Sequence, residues 1–194
     1  MTSVLIIGGG GMIGQKLASS FSTNDSLTLL DIGFPNKNQS NARKIIGSVS
    51  DPEIIENSLK DLPEVIYYLA SVVSGEAEAD FSKGWDVNIH AFWAFLSLVK
   101  KLNEKSQGQY KPKIIFTSSI AVFGSPFPNQ IPDDFIAAPR TSYGAQKASC
   151  ELMLNDFSRK GFCKGLAIRL PTICVRPGKP NLAASSFFSG IIRE

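Results

Sequence analysis

Six short apolar runs alternate along this chain with stretches whose apolar residues fall at helical spacing. The runs are Ser3–Ile7, Leu27–Leu30, Lys44–Val49, Val65–Leu69, Ile114–Thr117 and Leu166–Leu170. Between them lie Met12–Phe21, a segment from Asp51-Pro52 to about Leu59, Asp80–Glu104 and Thr141–Arg159, with Asn181–Arg193 at the end. Ile13, Leu17 and Phe21 share one helix face, and Leu152 and Met153 are read as pointing inward. Near-continuous apolar strands belong to a sheet buried on both faces, and parallel neighbours need a crossover helix. The alternation therefore predicts an α/β fold, a doubly wound and mostly parallel sheet with right-handed crossovers. Such a sheet takes ligands at the carboxyl ends of its strands. The loops at Gly8–Met12, Asp31, Leu69–Gly75, Thr117–Ile120 and Pro171–Val175 then face one crevice.

Composition narrows the function classes. With 194 residues, 43% hydrophobic and 19% charged, the chain can bury a single sizeable core. A net charge of +3, with Lys and Arg scattered, leaves no footprint for nucleic acid. Cys150, Cys163 and Cys174 lack paired spacing and only one histidine is present, so no metal site is expected and the thiols are read as reduced. The start lacks a basic leader, and the greasiest stretch, His90–Val99, is too short to span a bilayer and reads as a buried helix. The expected setting is cytoplasmic, with no membrane partner.

"IIGGGGMIG" (Ile6–Gly14) follows the first strand and opens the first helix, where missing side chains let backbone approach a pyrophosphate. Gly9, Gly11 and Gly14 fit one spacing of a dinucleotide motif, and Gly8, Gly11 and Gly14 fit another. Asp31 ends the second strand about 20 residues past Gly11, where a carboxylate can accept from ribose hydroxyls and repel a 2′-phosphate. No Arg or Lys follows until Lys37, which favours NAD over NADP. Further on, Tyr143 and Lys147 stand at i and i+4, on one helix face. An ammonium beside a phenol favours phenolate, a usable base for an alcohol proton. The strand ending in Thr117, Ser118 and Ser119 precedes that helix by one loop, and either serine can bond the same substrate oxygen.

Gly8/Gly11/Gly14, Asp31, "YYLASVVSG", Asn88, "TSSIAVFG", Tyr143/Lys147 and "RLPTICVRPG" stand in an order and spacing that resembles the extended branch of the short-chain dehydrogenase/reductase superfamily, also described as the NAD-dependent epimerase/dehydratase family. The resemblance runs through essentially the whole chain. It implies a Rossmann fold over residues 1–170, an incomplete substrate-binding lobe over 171–194, and NAD as cofactor. It selects the Gly8, Gly11, Gly14 register, leaving Gly9 and Gly10 as spare positions where Gly10→Ala is tolerated and Gly11→Val abolishes binding. It also selects Ser119 over Ser118 as the catalytic serine, beside Tyr143 and Lys147, with Asn88 helping to order the site.

The same resemblance implies cofactor contacts from Met12, Ile13, Ile32, Leu69, Ala70, Ser71, Asn88, Tyr143, Lys147 and Pro171. Ser48 and the Val49 backbone stand where many members carry an adenine-binding Asp. Substrate contacts fall on Ser74, Ser119, Ile120, Tyr143, Thr172, Arg176 and Asn181. Several segments are most similar to members that oxidise the C2 hydroxyl of a small sugar acid to the 2-keto acid. A nucleotide-sugar epimerase or dehydratase and a non-catalytic NAD-binding module are the alternatives. Thr172, standing where the epimerases have Asn, speaks against the first, and the presence of both Tyr143 and Lys147 against the second. Members of the branch are longer and commonly dimerise through the helices read here at Asp80–Glu104 and Thr141–Arg159. A homodimer is therefore expected, and this chain, stopping at "SGIIRE", is expected to be a fragment.

Overall fold

The computed structural model describes residues 2–35, 42–174 and 186–193. Its strands are β1 (Ser3–Ile7), β2 (Ser26–Asp31), β3 (Arg43–Ile46), β4 (Val65–Tyr68), β5 (Lys113–Ser119) and β6 (Lys164–Leu170). They form one six-stranded sheet in the order β3-β2-β1-β4-β5-β6, parallel throughout. The order reverses between β1 and β4, so the crevice opens beside the end of β1. The expected doubly wound sheet is present.

Alternate residues of the central strands feed two cores. Leu5, Ile7, Leu30, Ile66 and Phe116 pack with α2 (Pro52–Ser58), α5 (Ala91–Lys105) and α6 (Ser142–Arg159). Val4, Ile6 and Leu29 pack under α1 (Met12–Ala18). Tyr68, Phe92, Phe95 and Phe116 form an aromatic cluster with centroids 4.7–6.3 Å apart, at the heart of the larger core. β6 is the last strand on its side among the described residues, and its Leu166 and Ile168 side chains are exposed.

Several boundaries differ from expectation for local reasons. α1 stops at Ala18 rather than Phe21, because the Ser19 and Ser20 hydroxyls donate back to the carbonyls of Gln15 and Leu17. β3 ends at Ile46, well short of Val49, before Gly47, whose Cα packs on Ile54. The helix expected at Asp80–Glu104 is two pieces joined by a π turn. Asp80 caps α4 (Phe81–Trp85) by accepting from the Lys83 N–H, Asp86–His90 form the π turn, and α5 continues to Lys105. A short α3 (Ser74–Ala79) precedes them where a loop was read. Leu152 is 72% exposed instead of inward; Met153 is partly buried and Leu154 fills the core position. α7 spans Ser186–Arg193, and the expected start at Asn181 lies outside the described residues.

Phe92, Phe95, Leu96 and Val99 are buried, as the His90–Val99 stretch implies, while Trp93 on the same helix is exposed. No described helix is long and apolar enough to cross a membrane. Among the described residues no cluster of His, Cys, Asp and Glu has the makings of a metal site. Cys150 and Cys163 are buried free thiols and Cys174 is an exposed one.

Candidate functional site

The turn after β1 is built from backbone. Gly8 has φ 91° and, with Gly9, donates to the Leu30 carbonyl. A Cβ at Gly8 would lie 2.7 Å from the Ala70 nitrogen, at Gly9 2.9 Å from Leu29 Cβ, and at Gly14 2.3 Å from the Gly8 carbonyl oxygen. At Gly10 it would lie 2.0 Å from the Gly33 carbonyl oxygen. Gly9 and Gly10 are therefore not spare; both are demanded by packing, and the expectation that Gly10→Ala is tolerated is overturned. Gly11 alone is exposed and open, its nearest neighbour being the Gly8 oxygen at 3.4 Å. That side of the turn is left open. An open Cα backed by Met12 and Ile13 at the start of α1 fits a diphosphate.

Around this turn the structure gathers most of the expected cofactor residues. The N–H groups of Leu69 and Ala70 both donate to the Ile7 carbonyl, which sets the β4 loop against the glycine turn. Asp31 ends β2, and its Oδ2 accepts from the Gly10 N–H at 2.9 Å. Ile32 beside it is 78% exposed. Gly47 N–H donates to the Asp31 carbonyl, so the chain leading to Ser48 follows directly. Ser48 is exposed with its hydroxyl accepting from Ser50, whereas the Val49 side chain is in the core, leaving only its backbone to a ligand.

The β5 end and α6 form the second half of the crevice. A Cβ at Gly144 would lie 2.2 Å from the Ala121 carbonyl oxygen, so the start of α6 packs directly on the turn at Ile120–Val122. That contact places Tyr143 next to the turn following Ser119. Thr141 caps α6 by accepting from the Gly144 N–H at 3.0 Å, and Glu78 of α3 accepts from the Ser142 N–H at 2.5 Å. Lys147 is 2% exposed. Its Nζ donates to the Thr117 carbonyl at 2.9 Å and lies 4.7 Å from the Phe116 ring centroid and 5.5 Å from that of Tyr143. Burial pushes the Lys147 amine down to about 8. The Ser119 hydroxyl accepts from the Ala121 N–H at 3.1 Å, while Ser118 turns away, buried, and donates to Glu151.

Two groups support the site, one around Asn88, which the sequence singled out, and one around Glu151, which it did not. Asn88, buried in the π turn, accepts from Ser71 Oγ at 2.9 Å and Val72 N–H at 3.0 Å, and donates to Gln146 Oε1 at 2.7 Å. The Cys150 thiol donates to the Asn88 carbonyl at 3.1 Å. The second group is Glu151, one turn past Lys147, which receives Arg169 on both carboxylate oxygens, the closest contact being 2.8 Å. Arg169 lies opposite Ser118 in the β5–β6 register, and its guanidinium stacks on Phe123 at 4.9 Å. One carboxylate thus ties α6, β5 and β6 together beside Ser119 and Tyr143. Glu151 carries no local motif, and although Arg169 opens "RLPTICVRPG", only the shared register brings the two together. Glu151→Ala is expected to lower unfolding stability by about 2–3 kcal/mol, less than a fully buried pair because Arg169 keeps some contact with water. Denaturant melts of the two proteins check this.

Of the expected substrate residues, Ser74 starts α3, and Ile120 and Thr172 are exposed past the ends of β5 and β6, where Pro171, expected to contact the cofactor, is exposed as well. Arg176 and Asn181 lie outside the described residues.

This arrangement has close counterparts. The chain is 43% identical over 205 residues to D-erythronate dehydrogenase of Cupriavidus necator, covering 99% of this chain and 61% of that protein. It is 40% identical over 198 residues to D-erythronate dehydrogenase of Haemophilus influenzae, covering 98% and 61%. The chain thus spans 61% of the length of these curated relatives. A crystal structure described as the nucleoside-diphosphate-sugar epimerase from Agrobacterium tumefaciens superposes with a TM-score of 0.85 at 46% identity, over 98% of this chain and 58% of that one. The family model of the NAD dependent epimerase/dehydratase family matches residues 4–194. With a sheet order, glycine turn and Tyr–Lys helix that all agree with it, the chain belongs to the NAD dependent epimerase/dehydratase family, and its cofactor is NAD.

Proposed function

We propose that the chain is the cofactor-binding part of an NAD-dependent dehydrogenase that oxidises the C2 hydroxyl of a small sugar acid, D-erythronate or a close analogue, to the 2-keto acid. The observation that carries this is the Tyr143–Lys147 pair on one face of α6, packed against the turn that follows Ser119. The two relatives named D-erythronate dehydrogenase support the substrate. NAD, bound against Gly11 with its ribose at Asp31, supplies the acceptor for the hydride that leaves the carbinol carbon. Tyr143, as phenolate, takes the hydroxyl proton; Ser119 holds the oxygen; Lys147 stabilises the phenolate and reaches the nicotinamide ribose. Residues 171–194 begin the substrate lobe, and its Thr172, Arg176 and Asn181, with Ser74 of α3, are the candidates for the carboxylate clamp. Residues 1–170 are the NAD-binding domain. The protein works in the cytoplasm as a homodimer, joined through α4–α5 and α6, whose Trp93 and Leu152 are exposed.

Incubating the full-length protein with NAD and D-erythronate is expected to produce NADH. NADH from other four-carbon hydroxy acids but not from this one moves the substrate; none from any acid removes the class. The description of the Agrobacterium tumefaciens structure favours a second reading, a nucleotide-sugar epimerase. Turnover of a nucleoside-diphosphate sugar in the absence of acid oxidation establishes it instead.

A further inference from the structure

Gly10 is gripped from both sides by side chains. Its N–H donates to Asp31 Oδ2 at 2.9 Å, and its carbonyl accepts from Gln15 Nε2 at 2.5 Å. The space beside its Cα is closed by the Gly33 carbonyl. A peptide unit is planar, so each of these bonds fixes a whole unit. Asp31 sets the Gly9–Gly10 peptide. Gln15 sets the Gly10–Gly11 peptide, whose other end is the Gly11 N–H, which donates to the Gly8 carbonyl at 3.2 Å. That second peptide is the one beside the open Gly11 face.

We infer that Gln15 is a positioning residue for the cofactor: without touching it, Gln15 holds the Gly10–Gly11 peptide in the orientation a diphosphate meets, and Asp31 is the opposing jaw of the same clamp. The physical gain is preorganisation, since a glycine-rich loop otherwise loses more backbone freedom on binding than any other sequence. Asp31 then has two tasks on two oxygens. Oδ2 holds the loop, and the carboxylate's remaining capacity faces the ribose. Removing the Asp31 side chain releases the loop as well as the charge, so it does not convert the protein to NADP. Replacing Asp31 with Asn keeps an acceptor for Gly10 and removes the charge alone.

The inference rests on the NAD part of the reading above and on nothing about the substrate. Its test is calorimetric titration of the chain with NAD and with NADP, joined to amide exchange at Gly10 and Gly11 without cofactor. Gln15→Met keeps the side-chain length and loses the donor; it is expected to weaken NAD binding about five- to tenfold and to speed exchange at Gly11. Gln15→Lys restores a donor and is expected to recover most of both. Asp31→Asn is expected to keep Gly10 protected and gain affinity for NADP, and Asp31→Ala to lose both cofactors. Gln15→Met binding NAD within about twofold of the unaltered chain, or Gln15→Met and Gln15→Lys weakening it equally, overturns the inference. If the unaltered chain does not bind NAD, the cofactor reading fails, and Gly11 exchange in Gln15→Met still decides the clamp.

Discussion

Tyr143→Phe is expected to lower turnover of the full-length protein by about a thousandfold while leaving NAD affinity within about twofold. The substitution deletes one oxygen and keeps the ring, so the packing of Tyr143 beside Lys147 survives. Steady-state kinetics beside a calorimetric titration separate the two effects; equal loss of both removes Tyr143 from the chemistry. Lys147 gives the companion result. Its amine sits at about 8, below the ordinary 10.5, because burial disfavours the charge. Between those values the unfolded chain holds more protons, so this residue's contribution to stability rises as pH climbs from about 8 to 10.5. At pH 7 the buried ammonium costs stability. Lys147→Met is therefore expected to abolish turnover and yet raise unfolding stability at pH 7 by about 1–2 kcal/mol, a gain that fades as pH approaches 10.5. Thermal melts at pH 7 and pH 10 read the sign directly.

Gly10→Ala is expected to be among the most damaging single-methyl changes in the protein. The added carbon would sit 2.0 Å from the Gly33 carbonyl oxygen and 3.0 Å from Asp31 Cγ, and the first of these is backbone. Relief requires moving the β2 end or the glycine turn, and either breaks the Gly10–Asp31 bond. A loss of about 3 kcal/mol or more in denaturant unfolding, with NAD binding no longer measurable, is the expected outcome. Gly11→Ala is the control, since its added methyl meets only the Gly8 oxygen at 3.4 Å. It is expected to fold normally and weaken NAD alone. Circular dichroism and calorimetry on the pair show whether the fold or the ligand asks for each glycine.

Most of the strand positions and the crevice were legible because periodicity reports burial, and burial on both faces is what a parallel strand needs. Gly8, Gly11, Gly14, Asp31, Tyr143 and Lys147 stand out as candidates because each sits in a local pattern, and Asn88 through the family resemblance. Gly10 was misread because the atom it must avoid, the Gly33 carbonyl oxygen, lies on a different strand's loop, and no spacing rule within Ile6–Gly14 contains it. Leu152 was misread because helical spacing sets which residues share a face, not which face is inward; Cys150, Leu154 and Phe157 take the core side. The break before Phe81 and the π turn after it escaped for a related reason. Asp80 reads as the start of a helix on either account, but the extra residue per turn at Asp86–His90 is held by Asn88 and Cys150, a contact 62 residues apart in sequence. Glu151 and Arg169 are brought together only once β5 and β6 are set in register, and Gln146 finds Asn88 only once α6 packs on the π turn.

The margin of the sheet at β6 has a colloidal consequence. Leu166 and Ile168 stand outward there, and Phe188, Ile191 and Ile192 of α7 are exposed as well. A strand margin of this kind is adhesive, and proteins commonly blunt theirs with lysine or proline. Here the general repulsion is a net charge of only +3, which vanishes near pH 8.7. With β6 the last strand among the described residues, this chain is expected to self-associate more near that pH than in mildly acidic buffer of low ionic strength, which light scattering at the two pH values checks.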